Sequence, residues 1–331
     1  MKPVLVTMGD PAGIGPEIIT KAFDVGALAG CVVVGDALVM RRAGGRLTAL
    51  IDHPRDLADL PPGCLPVLQP PNWSDQFGQQ LHRLPWGRID SRNGAAAARC
   101  IENAVQWVQT GQGAAIVTAP IHKAAWAAAG VGFPGHTEML QALAASAGGA
   151  PPPVRMMLAN DELRVVLVTI HLALRKAIEA VTFDAVLQTV RIAHHAAAAW
   201  GQGRPRVAVA GLNPHAGEGG LFGDEEQLII EPAVRAAQAE GLDVQGPFAP
   251  DTVFMRARRG EFDVVVAMTH DHGLIPVKYL GVERGVNVTL GLPFVRTSPD
   301  HGTAFDIAGT GQADPSSLIA ALHMARRLAG T

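Results

Sequence analysis

The stretch 263–278, DVVVAMTHDHGLIPVK, with 285–309, GVNVTLGLPFVRTSPDHGTAFDIAG, holds more chemically capable side chains than any comparable length of this chain. Residues 263–268 are a short, β-branched apolar run, the pattern of a strand buried on both faces. Thr269, His270, Asp271, His272 and Gly273 follow at its carboxyl end, where open α/β sheets place their sites. Two other strand-like runs end the same way. Residues 164–170 deliver His171, and residues 206–210 lead through Gly211, Leu212, Asn213 and Pro214 to His215. A single histidine after a strand is commonly structural, but three at three strand ends suggest a shared task. Imidazole is the commonest protein ligand for a divalent transition metal, and three side chains plus an open position make a catalytic rather than a structural site. His171, His215 and His270 are therefore the expected metal ligands. The alternative is that one or two of them support the others by hydrogen bonds or contact substrate.

The chain has 331 residues, beyond the size at which one core usually suffices, so two domains or one large sheet with a lobe are expected. A formal net charge of −3 without a basic run argues against a nucleic-acid surface and for small-molecule partners. Cys31, Cys64 and Cys100 are odd in number and lack metal-ligand spacing, which supports neither a disulfide framework nor a cysteine zinc site. The opening residues read as strand and loop, not as a signal peptide, and no apolar segment is long enough to span a membrane. A cytoplasmic protein is expected.

In chain order, residues 3–7 read as a first strand, followed by a turn, MGDPAGIGPE at 8–17, whose prolines suit the start of a helix. That turn has the spacing of neither a dinucleotide fingerprint nor a P-loop. Residues 31–34 form a second strand, and 41–90 read as loops with short strands. Helical spacing covers 91–110, with Ile101, Ala104, Val105 and Val108 as the buried stripe. A strand at 114–117 runs into 118–123, a segment placed for contact with substrate or cofactor. Gly135, His136, Thr137 and Glu138 then open a helix, whose free amides favour an anion. His136 and Thr137 are the anion-binding candidates, against a plain threonine cap beside a surface histidine. A connector at 147–153 precedes the strand to His171, and one long helix is expected over 174–200. His194 and His195 on it do not share a face. The glycine-rich loop 216–220 has the flexibility to close over a ligand, Asp251 lies in a proline-rich turn, and 315–328 reads as a closing amphipathic helix.

Taken together, MGDPAGIGPE at 8–17, GHTE at 135–138, the strand into His171, GLNPHAGEGG at 211–220, HDHG at 270–273 and the 285–309 segment resemble the 4-hydroxythreonine-4-phosphate dehydrogenase family of pyridoxal phosphate biosynthesis. The resemblance spans nearly the whole chain. Two of these segments also look like the wider isocitrate and isopropylmalate dehydrogenase group: the GDPAGIGPE turn and HGTAFDIAG at 301–309, which in that group surrounds the adenosine of NAD. The resemblance implies that group's α/β/α fold, with two domains and the active site in the cleft: 1–125 plus 277–331 on the cofactor side, and 126–276 as the central metal, substrate and dimerisation domain. It implies metal ligands at His171, His215 and His270, matching the strand-end reading, and substrate contacts at His136, Thr137, Lys278, Asn287 and Arg296. NAD is expected against Ser298, His301, Gly302 and Asp306. A homodimer with an active site shared between subunits is implied as well.

The implied reaction is NAD-linked oxidation of a secondary alcohol in an anionic hydroxy acid, with loss of carbon dioxide from the β-keto acid. The metal is zinc first, otherwise magnesium, manganese or cobalt. Asp251, Asp271 and Lys278 are the candidates for orienting ligands and moving protons. Thr269, His272 and Ile275-Pro276-Val277 depart from the better-known biosynthetic members. The substrate expected is 4-(phosphooxy)-L-threonine or a related 4-phosphorylated sugar acid, with a cis-dihydrodiol dicarboxylate of the terephthalate type as the alternative. A metal-dependent hydrolase and a non-catalytic binding protein descended from the enzyme are the other classes, and HGTAFDIAG is the segment a hydrolase has no need of.

Overall fold

The computed structural model describes residues 2–145, 149–199, 203–281 and 284–331. The chain divides into two compact units, Met1–Pro153 with Leu292–Thr331, and Val154–Gly291. The division expected after residues 125 and 276 falls instead after Pro153 and Gly291. In chain order the first unit begins β1 (Val4–Thr7), α1 (Gly15–Asp24), β2 (Cys31–Val34), α2 (Ala37–Gly44), β3 (Thr48–Ile51), β4 (Leu65–Leu68), α3 (Asp75–Arg83), α4 (Ser91–Gln109), β5 (Ala115–Thr118), α5 (Lys123–Ala128) and α6 (His136–Leu143). The second unit follows as β6 (Arg155–Ala159), β7 (Arg164–Leu167), α7 (Leu174–Ala180), α8 (Phe183–Ala199), β8 (Val207–Ala210), α9 (Glu231–Ala239), β9 (Val244–Phe248), α10 (Pro250–Arg258), β10 (Val264–Ala267), α11 (His270–Tyr279) and β11 (Val286–Leu290). The chain returns to the first unit for β12 (Val295–Pro299) and α12 (Ser316–Ala329).

The six strands of the first unit lie in the order β3-β4-β2-β1-β5-β12, all parallel. Their sequences explain this: VLVT, CVVV and AIVT are buried at every position, as strands covered by helices on both faces must be. Thr297 donates its hydroxyl to the Ala321 carbonyl of α12 at 2.8 Å, so α12 covers the face of β12 on which Thr297 lies. Arg296 and Ser298, alternating with it, face the other way.

In the second unit the order is β11-β6-β7-β10-β8-β9, antiparallel at β11-β6-β7 and parallel from β7 onward. One face of its parallel part, Val165, Leu167, Ala208, Ala210, Val265 and Ala267, packs against Val253 and Phe254 of α10 and Leu274 and Val277 of α11. This core sets the two helices that carry Asp251, His270, Asp271 and Lys278. Gly273 is what lets α11 settle there, because a Cβ at that position would meet Leu167 Cδ2 at 2.4 Å and Val165 Cγ1 at 2.9 Å.

Several expectations are corrected. Segment 41–90 is not mainly loop: it holds α3 and the second half of α2, each helix started by a side-chain cap, Asp36 accepting from the Val39 amide and Ser74 from the Phe77 amide. The single helix expected over 174–200 is two, broken where Val181 turns extended (ψ 98). Its last residue, Trp200, lies outside the described residues, as do Met1 of the opening segment and 147–148 of the connector. The strand expected over 164–170 stops at Leu167. Asp251 sits in the first turn of α10 rather than in a free turn, since Pro250 before it is a favourable helix-starting residue. Among the described residues, no helix is long and apolar enough to cross a membrane.

Candidate active site

The parallel neighbours β7, β10 and β8 end side by side, and each delivers one of the three histidines into the loop beyond it. The loops after β7 and β10 are stitched together. Val168 donates to the Ala267 carbonyl at 2.9 Å, and Thr169 donates to the Met268 carbonyl from its amide at 3.2 Å and its hydroxyl at 2.8 Å. This places the His171 and His270 rings with centroids 5.6 Å apart. His171 adopts φ 33, a left-handed conformation that a non-glycine residue keeps only when its surroundings impose it. His270 opens α11, and its Nδ1 lies 2.7 Å from Asp271 Oδ1. A carboxylate only accepts, so Nδ1 is the donor of this pair and Nε2 is the ring nitrogen available to a ligand.

His215 is presented differently. From His215 to Gly219 the backbone stays left-handed, at φ 52, 53, 77, 43 and 67. The buried carboxylate of Glu226 holds the entry to this turn, accepting from the amides of Leu212 at 2.7 Å and Asn213 at 2.8 Å and from Asn213 Nδ2 at 2.9 Å. The loop is thus anchored at its entry. Nothing in the local sequence around His215 pointed to Glu226, whose partners lie 13 and 14 residues away.

Two pockets open at these strand ends. One of about 300 Å³ is lined by His171, His270, Asp271, Thr169 and apolar residues including Leu172 and Leu174. Another of about 620 Å³ holds His215, Asp251, Asp271 and His272 against an apolar wall that includes Phe254, Ile275 and Tyr279. Asp271 borders both. Among the described residues, no three His, Cys, Asp or Glu side chains converge closely enough to hold a metal. One chain pairs His171 with His270 and leaves His215 in the neighbouring pocket. Lys278, later on α11, and Asn287 of β11 are half-buried and line neither pocket.

The first unit carries the remaining candidates. Arg296 is 3% exposed and donates through Nη2 to Thr118 Oγ1 at 2.7 Å, and burial pulls its guanidinium down to about 10. His136 and Thr137 begin α6 behind Gly135, which supplies no side-chain cap to the first-turn amides. Burial, then the charges of Arg296 and Lys123, hold the His136 imidazole well below the ordinary histidine range. Ser298 is buried at the end of β12, whereas His301, Gly302 and Asp306 are exposed on the loop beyond it. The glycine-rich turn positions that loop. Ile14 donates to the Thr303 carbonyl at 3.0 Å, and Glu17 accepts the Ala313 amide at 2.9 Å. Gly9 reaches φ 72 with the Pro120 carbonyl 2.4 Å from where a Cβ would stand, so this turn packs directly on the loop after β5. His122 of that loop stacks on Phe305 with centroids 4.5 Å apart. The strand-end position of 118–123 is the one sequence signal that pointed to Thr118 and Lys123; for the Phe305 stack there was none.

Polar loops beyond parallel strand ends, with two neighbouring histidines in one unit and a buried guanidinium in the other, are features that an α/β enzyme for anionic small molecules would present. Comparison with known proteins narrows the class. The model of the pyridoxal phosphate biosynthetic protein PdxA family matches residues 27–325, and the chain belongs to that family. It is 55% identical over 332 residues to a 4-hydroxythreonine-4-phosphate dehydrogenase of Beijerinckia indica, covering 98% of this chain and 95% of the relative. A D-threonate 4-phosphate dehydrogenase of Pectobacterium atrosepticum is 46% identical over 336 residues, covering 99% of both chains. Among solved structures, the 4-hydroxythreonine-4-phosphate dehydrogenase of Klebsiella pneumoniae superposes with a TM-score of 0.89 at 43% identity, covering 99% of this chain and all of the other. The α/β fold class implied by the sequence is that of these neighbours.

Proposed function

We propose that this protein is an NAD-linked, divalent-metal-dependent dehydrogenase that oxidises the secondary alcohol of a phosphorylated hydroxy acid and releases carbon dioxide from the resulting β-keto acid. The observation that carries the reading is the delivery of His171, His270 and His215 by three adjacent parallel strand ends of the second unit. Relatives named for 4-hydroxythreonine-4-phosphate and for D-threonate 4-phosphate support the substrate class. A divalent metal, when bound, would polarise the alcohol and carboxylate oxygens and NAD would accept the hydride. The donor set suits the metal, since imidazoles with an adjacent carboxylate are the ligands zinc takes.

The chain's own residues divide the work as follows. His171, His270 and His215 are the ligands, and Asp271 fixes the His270 ring with Nε2 outward. Asp251 and Asp271 are the carboxylates within the pockets that exchange protons with substrate. Arg296, His136 and Thr137 receive the anionic group in the first unit, while Lys278 and Asn287 contribute polar contacts from the second. Ser298, His301, Gly302 and Asp306 hold the adenosine side of NAD. Because one chain leaves His215 apart from the other two histidines, a second copy completes the ligand set. Leu172, Leu174 and Ile178, exposed at 53%, 66% and 40% near the His171 pocket, are the apolar surface such a copy would cover.

The deciding experiment is an NAD-reduction assay with 4-(phosphooxy)-L-threonine and D-threonate 4-phosphate side by side, with and without chelator. Turnover of at least one, abolished by chelator and restored by zinc, manganese, magnesium or cobalt, is expected. Turnover that survives full removal of metal would rule out the metal-dependent reading.

A further inference from the structure

We infer that Lys123 is a second cation of the anion subsite in the first unit, and that with Arg296 it selects a phosphate dianion over a carboxylate. The inference rests on reading Arg296 and His136 as substrate-anion residues, and adds a residue to that set.

Three basic side chains gather here. Arg296 is buried and held toward the site by Thr118. His136 begins α6, with its Nε2 shut off from water and without a partner among the described residues. Lys123 begins α5, and its Cε lies 4.0 Å from where a Cβ of Gly135 would stand, beside the free amides of α6. Burial first, then the charges of Arg296 and Lys123, favour the neutral form of His136. Among the described residues, no carboxylate or carbonyl pairs with the Lys123 ammonium. The Lys123 ammonium is therefore open to an anion arriving at the start of α6. Two fixed positive charges, a neutral imidazole that can donate, and a helix start match a phosphate monoester carrying about two negative charges near neutral pH. A carboxylate carries one and would leave half of this charge uncompensated. The one acidic group on the same turn is Glu138, exposed, with Oε2 3.3 Å from the Gly135 Cβ position. Its charge works against an incoming dianion, which gives the inference a second test of opposite sign.

The test is calorimetric titration of the full-length protein with inorganic phosphate at pH 8 and, separately, with acetate, at low ionic strength. Lys123→Met should weaken phosphate by about tenfold, the scale of one charge-assisted contact at an exposed site, and acetate by less than about threefold. Lys123→Arg should stay within about threefold of the parent, and Glu138→Gln should tighten phosphate. Equal losses for phosphate and acetate in Lys123→Met, or no change in either, would overturn the inference. So would a parent protein that takes up no phosphate. A protein that binds phosphate as described yet reduces no NAD with either phosphorylated acid would refute the dehydrogenase reading and leave this one intact.

Discussion

Asp10 is a buried carboxyl whose protonation is shifted by its surroundings. Burial pushes its carboxyl up to about 7, against the lowering effect of the Ala12 amide it accepts at 2.8 Å and with a further push from Asp90. In the unfolded chain it would ionise near 4, so between these values the folded state holds a proton that the unfolded state has released. Stability from this group is therefore full below about pH 4, falls as pH rises, and is lost above about pH 7, on the order of 4 kcal/mol in all. Asp10→Asn keeps the oxygen that takes the Ala12 amide and cannot ionise. Denaturation midpoints measured from pH 5 to 8 should slope less in the variant, with its advantage largest at pH 8; parallel curves would show that Asp10 is ionised in the fold. His136 has the opposite sign, since its neutral form is favoured on folding and its contribution fades as pH drops below the ordinary histidine range. Asp271 acts through geometry instead. Asp271→Asn removes the carboxylate that fixes the His270 ring, and metal affinity should fall by about 10–100-fold with folding unchanged. Metal analysis across a chelator series measures it, and an unaltered affinity would detach Asp271 from the ligand.

Among the elements, α11 is held by close packing at Gly273 and the loop after β8 by the Glu226 carboxylate. Gly273→Ala would drive a methyl into Leu167 and Val165, costing about 1–3 kcal/mol and shifting the helix that carries His270 and Asp271. Loss of both stability and turnover is expected, and a variant with native melting and native kcat would mean that α11 has room to move. Glu226→Ala strands the Leu212 and Asn213 amides that its carboxylate satisfies. About 1–3 kcal/mol of stability should go with it, and chelator should inactivate the variant at lower concentration than the parent. These two residues also mark how far the sequence could be read. The strand ends and their histidines were legible because short β-branched runs followed directly by polar residues leave few other readings. The start of α6 was legible because Gly135-His136-Thr137 is a recognisable opening. The break at Val181 and the helix over Asp75–Arg83 were not, since the first sits in an otherwise periodic stretch and the second shows only its Ser74 cap amid prolines. Glu226 escaped notice because a buried carboxylate is identified by the amides that fold back onto it.

For the whole molecule, the proposed completion of the ligand set by a second copy would tie activity to association. Sedimentation should find a dimer, and Leu174→Asp with Ile178→Asp should give a monomer that has lost turnover while keeping its secondary structure; an active monomer would mean that one chain assembles the ligands by itself. The return of residues 292–331 to the first unit has a consequence for how the protein is made. Strand β5 pairs with β1 on one side and with β12 on the other, and β12 leaves the ribosome only after the entire second unit has been synthesised. Throughout that interval the nascent chain carries an apolar, hydrogen-bonding strand edge at 115–118 with nothing yet made to cover it, which is the condition under which chains pair with the wrong neighbour. Within the second unit β6 likewise waits for β11 and β7 for β10, but the wait at β5 outlasts both, so the time at which a chaperone matters most to this protein is set by the position of one late strand.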